Sequence, residues 1–506
     1  MMLYKCPVSR RKSYNIMKMN EISKRLSTRC CYIIIVISSF ITSLCASNNP
    51  FTIGNSNTDS SVFTYVSNII LKGGMPYRDT FDHKGPLIYL INALGLLINK
   101  NLGIWLTELV TIFIILYFSF KISRLIGCDN LKSIIVTIIC MLTLAGYYNG
   151  GNSTEEYACA LIIISLYIFI KYFERSEITG LEIFLCGFCF GGVVLLKINM
   201  ASLWGIMCLG VLIKNIKEKT IKKLIGYIIW FLIGSISILL PVLIWLICGN
   251  AFDAFIYDYL TFNFAYSSAI KSSLFAVVEA FYYFIMTGPV LLSIPILVYN
   301  IFKEKKITDV LCLFCILLSL AMVSISGRAQ EANHYGLIFC PLTIYAASRF
   351  FSIMSKKDSK SVKPFYISAV SLLLITFMYN FAYFFIPIGS SVLNVKSSYY
   401  EDMRKVSDII IQNTDKSDKI SVCGNRDLIY LLSERESASI YSYQYPIIEY
   451  DSKIKDEYIS DISKLEAEII VINNSDSVHT VLEDILNKHY KMIDSVSSLC
   501  VYKINH

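Results

Sequence analysis

The stretch GGMPYRDTFDHKGPLIY, at residues 73–89, groups ionisable side chains of both signs. Five of them lie within seven consecutive positions: Arg78, Asp79, Asp82, His83 and Lys84. A carboxylate in such a group can take a proton from a hydroxyl, and a fixed cation can bind a phosphate. The same residues also suit a solvated turn, since Asp is common in turns. The position of the stretch in the whole chain must decide between a site and a turn.

The chain around this stretch has the composition of a polytopic membrane protein. Of its 506 residues, 55% are hydrophobic and 17% are charged, whereas soluble domains carry about a quarter charged residues. Apolar runs of about 18 residues or more match the hydrocarbon core of a bilayer. Eleven spans are predicted near residues 31–46, 103–122, 131–148, 156–173, 181–196, 200–213, 224–248, 275–300, 308–325, 336–352 and 364–388.

Basic residues predict the orientation of these spans. Residues 1–30 are rich in Lys and Arg, which places the N-terminus in the cytoplasm ahead of an uncleaved first span. Alternation then puts basic loops such as KNIKEKTIKK inside, so the net charge of +8 does not require a nucleic-acid partner. Because eleven is odd, we expect the first outer loop, residues 47–102, and the C-terminal region to lie outside the cell membrane.

Two predicted helices flank the charged stretch. Residues 58–72, TDSSVFTYVSNIILK, carry apolar side chains at helical spacing and end at a pair of glycines. The apolar run that starts at Pro86 is too short to span a bilayer. We expect both helices to lie along the outer membrane surface. That location argues against a plain solvated turn, because it puts the charges beside lipid headgroups.

An acidic residue at the start of a surface helix, followed by GGMPYRDTFDHKGPLIYLINALG, resembles the first outer loop of the C-type (GT-C) integral-membrane glycosyltransferases. The likeness is to the bacterial branch with protein-mannosyltransferase-like and aminoarabinose-transferase-like enzymes. NGGNSTEEYA resembles the family's second outer loop, GFCFGGVVLLKINMA its glycine-rich bent helix pair and HYGLIFCP a later outer loop. The resemblance implies a helical transmembrane glycosyltransferase domain at residues 31–390.

The resemblance also implies roles for the first-loop residues. Asp59 could simply cap its helix, but it matches the position of the family's catalytic base. Asp79 or Asp82 would help to orient a substrate, and the sequence leaves open which one does so. Lys84 matches the lysine that contacts the lipid phosphate. His83 stands where the aminoarabinose branch has a metal-linked carboxylate, so that metal does not carry over; a divalent metal stays possible, but no ligand set requires one.

Further candidates lie at the predicted outer ends of spans. Glu155 and Glu156 begin a helix, where the dipole alone favours acids, and one of them would match the family's second acidic site residue. Lys197 and Arg328 break the positive-inside trend, which makes them candidates to stabilise a leaving phosphate. Three more candidates for substrate or lipid-phosphate binding are Arg78, His334 and Tyr335.

The C-terminal region, residues 396–506, differs in composition from the rest. Short β-type runs, KISVCG, EIIVIN and SLCVYK, alternate with helical stretches. This alternation predicts a small extracytoplasmic α/β domain. It carries no Gly-rich phosphate loop, and we expect it to shape access for an acceptor.

The resemblance implies transfer of a sugar from a polyprenyl-phosphate donor to a cell-envelope polysaccharide, glycolipid or protein, by a single inverting displacement. The absence of a nucleotide-binding motif fits a lipid-linked donor. A polysaccharide polymerase or ligase would bear its key residues in later outer loops. A transporter of lipid-linked glycans would place charges near the bilayer midplane, and a scaffold protein would give no reason for the first-loop charges.

Overall fold

The computed structural model describes most of the chain. The described residues are 26–51, 58–265, 274–286, 290–325, 333–354, 385–389, 397–445, 447–449, 451–473 and 477–505. Arg328 and nearly all of the predicted span at 364–388 lie outside them.

The membrane domain is built from apolar helices. They are α1 (Thr28–Ser43), α2 (Thr58–Leu71), α3 (Pro86–Ile98), α4 (Gly103–Leu125), α5 (Asn130–Tyr147), α6 (Thr154–Arg175), α7 (Gly180–Leu196), α8 (Ser202–Lys217), α9 (Ile221–Cys248), α10 (Phe252–Phe255), α11 (Leu274–Met286), α12 (Val290–Glu304), α13 (Ile307–Ser324) and α14 (Cys340–Met354). Turns of 3₁₀ helix at Ile198–Ala201 and Asn333–Phe339 precede α8 and α14, and a π-helix at Ile256–Phe262 continues α10.

Seven helices among the described residues are long and apolar enough to cross a membrane, or eight if α11 and α12 form one bent span. The seven are Gly103–Leu125, Asn130–Tyr147, Thr154–Arg175, Ile198–Lys217, Ile221–Cys248, Ile307–Ser324 and Asn333–Ile353. The multi-pass organisation predicted from the sequence is therefore confirmed. The count of eleven stays a prediction, since α1 and α7 are shorter than a full span.

Close helix packing carries one end of α7 to the site. A Cβ added at Gly187 would lie 2.0 Å from the carbonyl oxygen of Phe231, and one at Gly234 would lie 2.0 Å from that of Phe184. The backbones of α7 and α9 therefore touch, as small residues allow between membrane helices. Lys197 follows the end of α7, at the tip of the bend into α8.

The first outer loop contains the two predicted helices, α2 and α3. On α3, Leu94, Leu97 and Ile98 are exposed, as an interfacial helix requires. By contrast, α2 is mostly covered, and Tyr65 on this helix packs on Tyr430 of the C-terminal domain with ring centroids 5.0 Å apart. Helix α3 thus has the exposed apolar face that lipid would cover, whereas α2 lies between the membrane domain and the C-terminal domain.

The C-terminal region folds into the small α/β domain that the sequence predicts. Its elements are α15 (Ser398–Asn413), β1 (Lys419–Val422), α16 (Leu428–Ser433), β2 (Glu436–Ser437), α17 (Ser452–Ser463), β3 (Ala467–Asn473), α18 (Ser477–His489), β4 (Tyr490–Val496) and β5 (Leu499–Ile504). The strand order is β2-β1-β3-β5-β4. Strand β1 is parallel to β2 and β3, and β5 is antiparallel to β3 and β4.

This domain sits directly on the first outer loop. The backbone N–H of Phe81 donates to the carbonyl of Ile440 at 2.8 Å, and Lys72 and Lys100 form ion pairs with Glu436 and Glu434. The loop and the domain therefore lie on one side of the membrane, which requires an even number of crossings between them. Eleven spans satisfy this condition. Which side faces the cytoplasm stays a prediction.

Candidate active site

A backbone contact places the charged stretch against the end of α7. Gly85 caps α3, and its N–H donates to the carbonyl of Leu196 at 3.3 Å. A Cβ at Gly85 would lie 2.1 Å from the carbonyl oxygen of Leu195, so a larger residue cannot fit without moving the backbone. This contact brings Lys84 next to the turn that carries Lys197.

Four of the predicted site residues line one narrow pocket. They are Asp59, Lys84, Glu155 and His334. Each comes from a different element: the first turn of α2, the segment before α3, the start of α6 and the 3₁₀ helix before α14. The pocket therefore gathers two carboxylates, an ammonium and an imidazole, which are groups that can move a proton and hold an anion.

Lys197 extends this pocket through a buried ion pair. Its ammonium donates to Glu155 and lies 3.7 Å from the centre of the Tyr335 ring. His334 Nε2 is 3.8 Å from the same Glu155 carboxylate, and the His334 and Tyr335 rings meet edge to face. The Lys197 ammonium is thus stabilised by a carboxylate and an aromatic face.

The structure separates the two adjacent glutamates. Ser153 caps α6 by accepting from the N–H of Glu156, and Glu155 turns toward the pocket. Glu156 instead accepts from the Tyr148 hydroxyl at 3.0 Å, and Glu108 of α4 lies 3.4 Å from the same hydroxyl. Both of these carboxyl groups are fully buried. Sequence reasoning missed Glu108, although an acid inside a predicted span is itself a signal of function.

Asp82 is held by two domains at once. Its side chain is 2% exposed and accepts from the Tyr89 hydroxyl at 2.7 Å and from the Tyr443 hydroxyl at 2.8 Å. Tyr89 belongs to α3, whereas Tyr443 belongs to the C-terminal domain. Sequence reasoning missed Tyr443, and no local pattern around it marks it as part of a site.

Arg78 and Asp79 form a separate contact outside the pocket. The guanidinium donates to both carboxylate oxygens at 2.7 and 2.6 Å and to the carbonyl of Gly249 at 2.6 Å. Asp79 also accepts from the N–H of Met75 at 2.7 Å. The hydrogen bonds from Arg78 hold the pKa of Asp79 below its usual value. This pair ties the loop to the end of α9, so of the two acids left open by the sequence, Asp82 is the one connected to Lys84.

The comparisons with known proteins agree with this architecture. A model of the family described as "Putative competence-induced protein Ccs4" matches residues 20–403 with its N-terminal domain and residues 400–505 with its C-terminal domain. The chain belongs to the Ccs4 family. The two matches meet where α15 of the C-terminal domain begins. No curated protein matches the sequence.

Solved structures show the fold of this Ccs4-family chain. ArnT from Cupriavidus metallidurans bound to undecaprenyl phosphate has a TM-score of 0.62 at 10% identity, covering 94% of this chain and 98% of ArnT. The oligosaccharyltransferase AglB from Archaeoglobus fulgidus, in complex with an inhibitory peptide and a dolichol-phosphate, has a TM-score of 0.50 at 12% identity, covering 88% and 69%. The fold is therefore that of the GT-C membrane glycosyltransferases, as the first-loop resemblance implied.

The described residues of the Ccs4-family chain do not assemble a metal site. Among them, no group of three or more His, Cys, Asp and Glu side chains is placed to hold an ion. His83, which replaces the metal-linked carboxylate of the aminoarabinose branch, has Nε2 at 2.7 Å from the Lys84 ammonium and Nδ1 at 3.1 Å from the Tyr443 hydroxyl. Because both nitrogens already have partners, His83 does not fit a ligand role.

Two further acids outside the first loop interact electrostatically with Asp82. Asp258 lies on the π-helix and is buried, which with the nearby charge of Asp82 raises its pKa to about 8. Asp427 follows β1 in the C-terminal domain, and burial raises its pKa to about 7, with Asp82 adding to the shift. Sequence reasoning singled out neither residue. In both residues, burial of the carboxyl group is the larger cause of the shift.

Proposed function

We propose that this protein transfers a sugar from a polyprenyl-phosphate donor to an acceptor on the outer face of the cell membrane. The observation that carries the proposal is the pocket in which Asp59, Lys84 and Glu155 face one another. The fold is shared with ArnT bound to undecaprenyl phosphate and with AglB in complex with a dolichol-phosphate. Those two ligands support a lipid phosphate as the carrier of the sugar.

In the proposed reaction, the donor's isoprenoid tail lies in lipid and its phosphate enters the pocket beside Lys84. Asp59 takes the proton from an acceptor hydroxyl as its oxygen forms a bond to the anomeric carbon. The bond between that carbon and the phosphate oxygen breaks, and its electron pair leaves with the lipid phosphate. A single displacement of this kind inverts the anomeric configuration. General-base help is typically worth about 10²- to 10⁴-fold.

The cations of the pocket stabilise the charge that develops on the leaving phosphate. Lys84 would contact it directly, and Lys197, which is shared with Glu155, would provide the second positive charge. His334 and Tyr335 hold this ion pair in place. Arg328 remains a candidate from the sequence alone. Arg78 and Asp79 would hold the first outer loop in position and would not contact the donor.

The acceptor is a glycan, lipid or protein hydroxyl that reaches the outer face. We assign the basic N-terminus, residues 1–30, to the cytoplasm and the α/β domain, residues 396–506, to the outside. This domain contacts the first outer loop, so it would shape the access of the acceptor to the pocket.

The test is a transfer assay in membranes with polyprenyl-phosphate sugars, comparing Asp59→Asn with Asp253→Asn. Asp253 is also an acid in the first turn of an outer-side helix, but it is exposed. We expect transfer by Asp59→Asn to fall by about 10²- to 10⁴-fold, with Asp253→Asn close to the wild type. Transfer near the wild-type rate in a folded Asp59→Asn protein would show that another group is the base.

A further inference from the structure

The C-terminal domain reaches Lys84 through a chain of hydrogen bonds. The Tyr443 hydroxyl lies 2.8 Å from Asp82 Oδ1 and 3.1 Å from His83 Nδ1. His83 Nε2 in turn lies 2.7 Å from the Lys84 ammonium, which lines the pocket. A residue of the C-terminal domain is thus two hydrogen bonds away from the cation of the proposed phosphate site.

Only one direction of donation satisfies every group in this chain. The Lys84 ammonium can only donate, so His83 Nε2 must accept. A neutral imidazole then carries its proton on Nδ1 and donates it to the Tyr443 oxygen. The Tyr443 hydroxyl donates to Asp82, which can only accept while it is ionised. The chain therefore runs from Lys84 through His83 and Tyr443 to Asp82, with a neutral His83.

Packing shields the Asp82–Tyr443 end of this chain from water, and the His83 side chain is 17% exposed. Asp82 is 2% exposed and Tyr443 is 5% exposed. The His83 ring lies 5.6 Å from that of Phe262 on the π-helix, and the side-chain amide of Asn263 donates to the His83 carbonyl at 2.7 Å. Buried hydrogen bonds of this kind are costly to leave unmade, because no water replaces the lost partner. Removing one member should therefore displace the next.

We propose that Tyr443 is a positioning residue through which the C-terminal domain sets the place of Lys84 at the lipid phosphate. The inference rests on the proposed function for the identity of the anion. The inference adds that the C-terminal domain contributes to the phosphate site. The contact between this domain and the first outer loop therefore controls donor binding.

The arrangement also makes donor binding sensitive to pH. Charged and titratable groups around His83 include Lys84, Tyr443 of the C-terminal domain and Asp82, whose Oδ1 lies 3.6 Å from Nδ1. The π-helix and the residue after it add Phe262 and Asn263, and Asp258 interacts electrostatically with Asp82. A proton added to His83 makes Nε2 a donor, which ends its contact with Lys84 and sets two cations side by side. Affinity for the lipid phosphate should fall on acidification for this reason.

The first experiment measures binding of undecaprenyl phosphate to the purified full-length protein in detergent micelles, comparing Tyr443→Phe with Tyr441→Phe. Both tyrosines are buried against Phe81, but the Tyr441 hydroxyl donates to Glu457 within its own domain. We expect Tyr443→Phe to raise Kd by about 3- to 10-fold, with Tyr441→Phe changing it by less than about 2-fold. In transfer assays KM for the donor should rise more than kcat falls.

A general loss of packing would affect both variants alike, so equal changes in Kd, or none with Tyr443→Phe, would overturn the role of Tyr443. If the wild type binds no undecaprenyl phosphate, both the proposed function and this inference fail. Binding by the wild type that is indifferent to Tyr443→Phe would remove the inference alone.

The second experiment follows Kd of His83→Gln and of the wild type between about pH 8 and pH 5, where histidine titrates. A glutamine can still accept from Lys84 but cannot gain a proton. We expect lower affinity in the variant at neutral pH and a shallower decline on acidification. The ionisations of the phosphate and of His334 are common to both proteins, so the difference isolates His83. If affinity declines equally with acidification in the wild type and in His83→Gln, the proposed direction of hydrogen-bond donation from Lys84 to His83 is wrong.

Discussion

The two halves of the charged stretch in the first outer loop have opposite environments. Arg78 and Asp79 satisfy each other at the surface, with side chains 41% and 35% exposed. Three residues later, Asp82 is buried and its contacts run through His83 to Lys84 and the pocket. Charged residues that look alike in the sequence thus form two groups. Arg78 and Asp79 form an exposed ion pair, whereas Asp82, His83 and Lys84 belong to a chain of hydrogen bonds that begins at a buried carboxylate. Burial and partners, rather than residue type, separate the two.

The comparison is tested most strongly by Asp82→Asn against Asp79→Asn. An asparagine at position 82 keeps one acceptor oxygen and turns an NH₂ group toward a hydroxyl donor. We expect transfer to fall by about 100-fold or more and the free energy of unfolding to fall by about 1–3 kcal/mol. Exposed ion pairs contribute about 0–1 kcal/mol, so Asp79→Asn should be mild. Transfer assays and denaturant unfolding measure both. If Asp79→Asn lowers the transfer rate and the free energy of unfolding as much as Asp82→Asn does, the two acids do not differ in the way that their burial implies.

A substitution at Gly85 can displace Lys84 without changing the Arg78–Asp79 ion pair. The Cβ of Gly85→Ala would press on the carbonyl of Leu195 and displace Lys84. Misplacement by about 1 Å can cost about 10²-fold in rate, so we expect transfer to fall by about 10- to 100-fold. Gly205→Ala is the matched control, since no atom lies within 4 Å of the added Cβ. Equal rates for the two variants would show that the close contact at Gly85 does not position Lys84.

The last prediction concerns stability alone and involves Asp427 of the C-terminal domain, for which no change in transfer is expected. The pKa of Asp427 is raised to about 7, so the folded state holds its proton more tightly than the unfolded state does. Its contribution to stability is present below about pH 4 and is lost as pH rises through about 7. Asp427→Asn should therefore match the wild type at pH 4 and exceed it at pH 8 by about 1–4 kcal/mol.

Thermal or denaturant unfolding at the two pH values measures this difference. Asp484→Asn is the control, since Asp484 is exposed on α18. If Asp427→Asn and Asp484→Asn show the same pH dependence as the wild type, the surroundings of the Asp427 carboxyl group are more open to water than the packing implies.

Much of the candidate site could be predicted from the sequence. The charged stretch and the first-loop resemblance pointed to Asp59 and Lys84, and the resemblance also pointed to His334 and to either Glu155 or Glu156. The break in the positive-inside trend pointed to Lys197. The structure brings Asp59, Lys84, Glu155, Lys197 and His334 together. Lys197 was visible without the resemblance, because a charge at the predicted end of a span needs a partner or a role. Glu108 carried the same signal inside a span.

The remaining residues of the site could not be predicted in this way. Tyr443 lies in a soluble domain where a tyrosine is unremarkable, and Glu155 and Glu156 have almost the same local sequence. The rotation of α6 decides that Glu155 faces the pocket and Glu156 faces Tyr148. Such outcomes depend on side-chain packing between segments that lie far apart in the chain.

The sequence by itself determined that the protein is a multi-pass membrane protein with a charged loop after its first apolar helix and with a small α/β domain. Hydrophobicity and its periodicity are local properties, because they follow from the partition of each segment between lipid and water. Only the tertiary structure decided that this domain sits on the loop and that Tyr443 joins Asp82 and His83. A hydrogen bond requires two groups within about 3 Å, and that distance is set by the packing of the whole molecule.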